Sequence, residues 1–480
     1  MVFSSVLFVF LFLPAFLFLY YLSPSRLKNF VALTASLLFY AWGAPELVFY
    51  LVIACALDYG ASRLMVRCGD RPLIRRRIAG AAIVFNIGLL MYFKYANFFV
   101  HELNRVLSSL GRSPLTWSEV ALPIGISFFT FHRVSYIADV YRRVTEPARS
   151  YADYLLYVVL FPQLIAGPIV RYHEVAGEIA HRKHSLDLVF GGLFRFTLGL
   201  GKKVLVANVL GEVADRVFAL APSSVPTSHA WLGIVCYTFQ IYFDFSGYSD
   251  MALGLAKMIG IHFPENFNLP YISRSITEFW RRWHISLSSF MRDYLYFPLG
   301  GNRLGPGRTY FNLWVVFLLS GFWHGASWNF LLWGAYHGLF LVLDRVFWLR
   351  TVERLPKLVA MAATFLVVLF GWVLFRSPDL PFACHFGARM LALSARIPSV
   401  YPVPLEALAG GRAFFTLAVA AVISFLPSLA GLGALWNRIW APASQGLQNA
   451  VQFACLLLLC LLSLSYLSNT TFNPFIYFRF

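Results

Sequence analysis

Uninterrupted apolar runs recur along the whole chain, and each is about as long as the roughly 20-residue helix needed to cross a 30 Å hydrocarbon core. Inside lipid the backbone polar groups must pair within their own segment, so such runs specify helices. They fall near residues 2–22, 29–43, 45–66, 78–100, 151–170, 188–208, 229–248, 309–346, 357–376, 411–430 and 448–468. The run at 309–346 is long enough for two crossings. The pattern predicts an all-α polytopic membrane protein with ten to twelve transmembrane helices, organised as one integral membrane domain over 1–480. Only 13% of residues are charged and 59% are apolar, which excludes a soluble globular enzyme, where about a quarter would be charged.

The formal charge of +17 would suggest nucleic acid as partner in a soluble chain. Here the basic residues sit in short links between apolar runs, so they read as the positive-inside bias and as contacts to anionic headgroups of membrane lipids. The link RCGDRPLIRRR at 67–77 is placed in the cytoplasm by its arginines. Counting back three spans puts the N-terminus outside, with the basic SPSRLK link inside and the GAPE link, which has no basic residue, outside. Links at 171–184 and from Arg274 to Arg303 are basic and are expected to face the cytoplasm as well. The first run has no basic residue ahead of it, and Arg26 and Lys28 follow it, which reads as a retained anchor and not a cleaved signal. The six cysteines are scattered without a CxxC pair. They read as packing residues, and no metal is expected.

Two stretches are too broken for simple spans. The segment from Pro114 carries Pro123 and Gly125 in mid-run, and FPQLIAGPIVRY from Phe161 is similar; both read as re-entrant or buried irregular segments, with proline-kinked helices as the alternative. Ionisable side chains concentrate between residues 240 and 337, where each costs at least about 2.5 kcal/mol at the bilayer centre. Gln240 and Asp244 lie four apart on one helical face, followed by Ser246, Gly247 and Asp250. They are expected to line a polar cavity or to tie helices together. Farther on, Ser275 with Glu278 forms an S-x-x-E capping box. The helix it starts, near Ile276, places Phe279, Trp283, Leu287, Phe290 and Tyr294 in one sector and Arg281, Arg282 and Arg292 opposite, the pattern of an interfacial amphipathic helix. The arginines there either pair with Glu278 and lipid phosphates or hold the phosphates of a nucleotide-bearing cofactor.

His324 sits inside an apolar run, flanked by Gly321, Gly325 and Ala326. A neutral imidazole is suited to taking a proton from a hydroxyl, although a lone intramembrane histidine also serves as an interhelical hydrogen bond. His337 follows 13 positions later, about 140° away on one continuous helix, which argues against a shared metal. The hydrolase elbow GxSxG, the P-loop and the HxxxxD acyltransferase pattern are all absent.

At these residues the chain resembles the membrane-bound O-acyltransferase family, and within it the bacterial branch of the alginate O-acetylation membrane subunit. The resemblance rests on FKYANFF at 93–99, LPIGISFFTF from Leu122, FPQLIAGPIVR from Phe161, YFDFSGYSDMALGL from Tyr242, ENFNLPYISRSITEFWRRWHISLS from Glu265, RDYLYFPLGGNR from Arg292 and GFWHGASW from Gly321. These blocks place the motif-bearing core at about 115–345. The resemblance implies helices arranged around a central tunnel, with His324 catalytic and His284 assisting or lining the cytoplasmic entrance. Trp280, Arg281 and Arg282 are assigned to the donor, and Asp244, Gln240, Asp250 and Asn329 to lining or support. The implied reaction carries an acetyl group from acetyl-CoA in the cytoplasm toward O-acetylation of a secreted polysaccharide such as alginate. A periplasmic SGNH-type partner and a polysaccharide export complex would stand beside it in the bacterial inner membrane. From another class, a transporter or flippase would use His324 and Asp244 as a proton relay.

Overall fold

The computed structural model describes residues 1–221, 225–393, 404–428, 444–470 and 472–476, and among these every regular element is helical. Six described helices are long and apolar enough to cross a membrane: Pro45–Arg67, Pro72–Ser109, Trp328–Val352, Lys357–Arg376, Gly411–Ser428 and Gly446–Asn469. They turn large apolar side chains outward, Phe49, Ile53, Val84 and Leu458 among them, as lipid-facing helices do.

The other apolar runs form helices that are shorter, broken or more polar than these six. The first is the shorter apolar helix Phe8–Leu22. The run at 151–170 breaks into Tyr151–Val159 and Phe161–Leu164. The runs at 188–208 and 229–248 belong to Leu186–Gly201 with the π-turn Lys202–Ala207 after it, and to Thr227–Met258. These elements bury Lys203, Asp244 and Asp250 against protein, which removes them from the class of simple apolar crossings.

The chain packs as two units, Met1–Leu193 with Ala252–Pro264, and Phe194–Met251 with Glu265–Phe480. In the first, residues 112–123 have no regular structure and Gly125 opens the helix Ile126–Tyr141 with φ 78°. A Cβ on Gly125 would stand 2.6 Å from the Leu164 carbonyl oxygen, so the two irregular segments cross backbone to backbone at a glycine. The same unit holds a fully buried ion pair, Arg133 Nε to Asp58 at 2.5 Å. The carboxylate also accepts from Asn86 Nδ2 at 2.8 Å, and the guanidinium donates to the Ala54 carbonyl at 3.0 Å. Such extra hydrogen bonds are what a buried pair needs to offset its desolvation.

Candidate functional site

All the site residues anticipated from the sequence lie in the second unit. Its central element is a helical hairpin, Pro306–His324 and Trp328–Leu343. The hairpin closes because its facing positions lack side chains. A Cβ on Gly321 would meet the Phe330 carbonyl oxygen at 2.3 Å, and one on Gly334 would meet the Phe317 carbonyl oxygen at 2.3 Å. The glycines beside His324 therefore admit another backbone. His324 is the last residue of its helix, and Gly325, in extended conformation, begins the turn. The break at 325–327 puts His337 on the second helix and not on a continuation of the first.

Aromatic rings surround the His324 imidazole: Trp323 at 4.8 Å, Trp333 at 4.9 Å nearly perpendicular, and Phe375 at 5.4 Å. Trp333 also packs against His337 at 5.0 Å, and His337 against Trp280 at 5.2 Å. Gly371 makes room for His337, since a Cβ there would come 2.9 Å from Nε2. Trp280 Nε1, Trp333 Nε1 and both ring nitrogens of His337 are buried and have no hydrogen-bond partner among the described residues. Native proteins rarely leave such groups unsatisfied, so this cage is equipped for a polar guest.

The segment from Ile276 departs from the continuous amphipathic helix expected. It runs as Ile276–Arg282, breaks at Trp283 and His284, resumes as Ile285–Met291 and ends in the π-turn Arg292–Tyr296. Ser275 Oγ accepts from Glu278 N at 3.0 Å as a cap, but the Glu278 carboxylate reaches Arg274 N and not the cap residue. Phe279, Trp280 and Trp283 are buried among rings of the same unit, so protein covers the apolar face of this element. His284 has φ 44° and ψ 56°, the left-handed region, a conformation costing on the order of 1–3 kcal/mol that persists only where the surroundings dictate it. Its side chain is wholly buried. It lies outside the spanning helices, and burial pushes its imidazole down to about 3, so the ring is neutral at physiological pH. Phe245 packs on it edge-on at 4.7 Å, and Trp323 lies 6.4 Å away. Both histidines thus border the Trp323 ring.

A cavity of about 450 Å³ opens beside this segment, its lining including Trp280, Arg281, Arg292, Phe317, Ser320 and Arg345. The three arginines are not equivalent. Arg292 is engaged by Asp293 at 2.7 Å and Arg345 by Asn302 at 3.3 Å, whereas Arg281 is exposed and has no carboxylate partner among the described residues. Arg282 does not line the cavity; it bonds Glu278 at 3.0 Å and the Asn268 carbonyl at 3.1 Å.

Of the remaining anticipated residues, Asp244 and Asp250 form a charged cluster. Gln240, Asp244 and Asp250 are buried on Thr227–Met258. That helix is not interrupted at Gly247; the glycine receives Gly199, whose Cβ would lie 2.4 Å from the Gly247 carbonyl oxygen. The π-turn directs successive lysines to different carboxylates, Lys202 to Asp250 and Lys203 to Asp244, each at 2.6 Å. Arg195 adds a bond to Asp250 at 2.6 Å. Asp244 also accepts from Ile476 N at 2.8 Å, and Lys203 donates to the Pro474 carbonyl. Asn208 reaches the Phe472 carbonyl at 3.3 Å, and Phe475 stacks on Tyr248 at 4.5 Å. Asn329 donates to the Ser377 carbonyl at 2.9 Å.

Residues 125–353 match the family pattern of the membrane-bound O-acyltransferases. Over their full lengths, this chain and a probable alginate O-acetylase AlgI from Azotobacter vinelandii are 42% identical. The chain is 46% identical to a probable alginate O-acetylase AlgI from Pseudomonas aeruginosa, over 80% of this chain and 73% of that one. It is 35% identical to a peptidoglycan O-acetyltransferase from Helicobacter pylori, over 82% of this chain and 80% of that one. The chain belongs to the membrane-bound O-acyltransferase family. It is accordingly an O-acyltransferase, and a multi-pass membrane protein.

In this acyltransferase the structure brings His324, Trp280, Trp333 and His337 into one aromatic cage, and places Asp244 and Asp250 in ion pairs on a separate helix. Sequence reasoning missed the cage walls Trp333, Trp372 and Phe375, although an unusual density of tryptophan on either side of a WHG block was there to be read. It also missed Lys203 as the partner of Asp244. The signal available was the lysine pair Lys202 and Lys203 directly after an apolar helix.

Proposed function

We propose that the protein moves an acetyl group from cytoplasmic acetyl-CoA toward a hydroxyl presented from the other side of the membrane, for O-acetylation of a secreted polysaccharide such as alginate. The observation that carries this reading is the aromatic cage holding His324 and His337 beside an arginine-rimmed cavity that shares Trp280 with it. Trp280 belongs to both, lining the cavity and packing on His337. Arg281, with no carboxylate to satisfy, is suited to a phosphate of the donor. The relatives named for alginate O-acetylation point to the same acceptor class.

In the reaction His324 takes the hydroxyl proton as the oxygen attacks the thioester carbonyl. The new C–O bond forms, the C–S bond breaks, and the imidazolium returns its proton to the departing thiolate. A positioned base of this kind contributes about 10²- to 10⁴-fold. A periplasmic SGNH-type protein would then receive the acetyl group and place it on the polymer. On this reading the chain sits in a bacterial inner membrane with its N-terminus in the periplasm. The test is thiol release from acetyl-CoA by purified protein with a hydroxyl acceptor, wild type beside His324→Ala. Release that depends on both the acceptor and His324 is expected; a wild type that releases none would refute the donor assignment.

A further inference from the structure

The described lining of the cavity beside the cage carries Arg281, Arg292 and Arg345 and no aspartate or glutamate. Arg292 is spent on Asp293 at 2.7 Å. Arg345 is exposed; its partner is the Asn302 side-chain oxygen at 3.3 Å, and no carboxylate pairs with it among the described residues. A guanidinium can only donate, so the Asn302 atom facing it is the oxygen, whichever way the amide was first placed. The Tyr296 hydroxyl donates to the same oxygen. An amide oxygen orients a guanidinium without neutralising it, so the position of Arg345 is set while its charge stays available.

The frame around these residues is tied at several points. Gly301 N donates to the Tyr296 carbonyl at 3.0 Å, and the Gly301 carbonyl accepts from the buried Asn312 Nδ2 at 3.0 Å, which binds the loop bearing Asn302 to the helix Pro306–His324. Arg345 belongs to the π-turn Asp344–Trp348. Asp344 accepts from Thr277 N at 2.6 Å, and Trp348 Nε1 donates to the Arg274 carbonyl at 3.0 Å. These bonds fasten the turn to the start of the helix that bears Arg281. Thr277 and Arg281, one helical turn apart, face the cavity together. Chain order then ranks the two arginines. Arg281 adjoins Trp280, which packs on His337 in the cage. Arg345 follows His337 by eight residues, about 12 Å farther along a helical axis. Arg281 is the inner cation and Arg345 the outer one.

We infer that Arg345, positioned by Asn302, is a second phosphate-binding residue, and that with Arg281 it selects a thioester donor carrying a diphosphate over one carrying a single phosphate. The inference rests on the acyl-transfer reading for the identity of the ligand. CoA and 4′-phosphopantetheine share the thiol-bearing arm, and only CoA continues into a diphosphate and a nucleoside. Arg281 meets the phosphate nearer the thiol, and Arg345 the next one, each through the paired N–H groups that guanidinium offers to phosphate oxygens. A lipid headgroup is the other source of the same chemistry, because Arg345 lies near the end of the apolar helix Trp328–Val352.

The test is equilibrium binding of CoA and of 4′-phosphopantetheine to the full-length protein in phosphatidylcholine vesicles. Wild type is expected to bind CoA about tenfold tighter or better, and Arg345→Ala to shrink that preference to within about threefold while binding 4′-phosphopantetheine as wild type does. Asn302→Asp keeps an oxygen toward Arg345 and Tyr296 but adds a carboxylate that neutralises the guanidinium. It is expected to lose the preference as Arg345→Ala does, whereas an asparagine that only braced the loop would tolerate the change. A preference retained in Arg345→Ala, or wild-type CoA affinity in Asn302→Asp, would overturn the inference and leave the acyl-transfer reading intact. Adding phosphatidylglycerol to the vesicles separates the two sources of phosphate. If it weakens CoA binding in wild type but not in Arg345→Ala, the arginine serves a lipid headgroup and the inference fails; equal effects on both support it. A wild type that binds neither thiol compound would remove the donor reading. Binding of inorganic pyrophosphate that requires Arg345 would then still sustain the two-point phosphate site, and its absence would remove that as well.

Discussion

Two buried polar regions of the second unit solve the same problem in opposite ways. Around Lys203 and Asp244, charge is matched with charge and the leftover hydrogen-bonding capacity is absorbed by backbone groups of residues 474 and 476. Around His324 the neighbours are ring edges, and the nearby indole and imidazole nitrogens of Trp280, Trp333 and His337 are left without partners. The first region pairs its charges, while Gln240 Oε1 and Asn208 Oδ1 beside them have no partner among the described residues. The second is polar but unsaturated, and that is the condition in which a substrate has something to gain by entering. The difference teaches that a buried charge already held by an opposite charge has less to offer a substrate than buried N–H groups that lack a partner.

The sharpest way to break the comparison is to exchange its consequences. His324→Ala is expected to cut thiol release by about 10²- to 10⁴-fold with no change in gel-filtration profile or melting temperature, whereas a large loss of stability would place His324 in the structural class. Next in size, Lys203→Met or Asp244→Leu alone leaves a buried charge unmatched and is expected to destabilise by about 3–5 kcal/mol, read as a fall in the intrinsic-fluorescence melting temperature in detergent. The double replacement should recover much of that loss. If instead both singles melt like wild type but lose catalysis, the cluster belongs to the reaction. Gly334→Val forces a side chain onto the Phe317 carbonyl, 2.3 Å from the ideal Cβ position, and is expected to cost about 1–3 kcal/mol and to lower kcat by displacing His324. The smallest effect is assigned to Arg281→Ala, which should raise KM for acetyl-CoA about tenfold, equivalent to about 1.4 kcal/mol, with kcat unchanged and the difference shrinking at high salt. Equal KM values would remove Arg281 from the donor site.

The sequence made the class of fold legible because apolar run length is a direct consequence of bilayer thickness. It made His324 legible because an ionisable residue in such a run is costly enough to demand a reason. What it concealed followed from distance and from hidden breaks. A helical wheel drawn through 276–294 assumes one helix, and the left-handed turn at His284 invalidates every angle beyond it. Arg281 and Arg282 look interchangeable on that wheel, yet one lines a cavity and the other is tied to Glu278. Asn266 meets His284 across 18 residues, and Lys203 meets Pro474 across 271; no local pattern reports pairings of that span.

The contact between Lys203 and the segment at 472–476 bears on how the molecule is made. Ribosomes deliver Lys203 and Asp244 to the membrane long before Pro474 exists, so during most of synthesis this pair lacks its final complement and its helices have reason to stay loosely associated or shielded by other factors. A prematurely terminated polypeptide stopping before residue 472 would carry all six described spanning helices with His284 and His324 yet retain an uncompleted polar interior, which is the kind of defect that membrane quality-control proteases detect. Biogenesis, and not chemistry, is then the stage at which those few residues matter most.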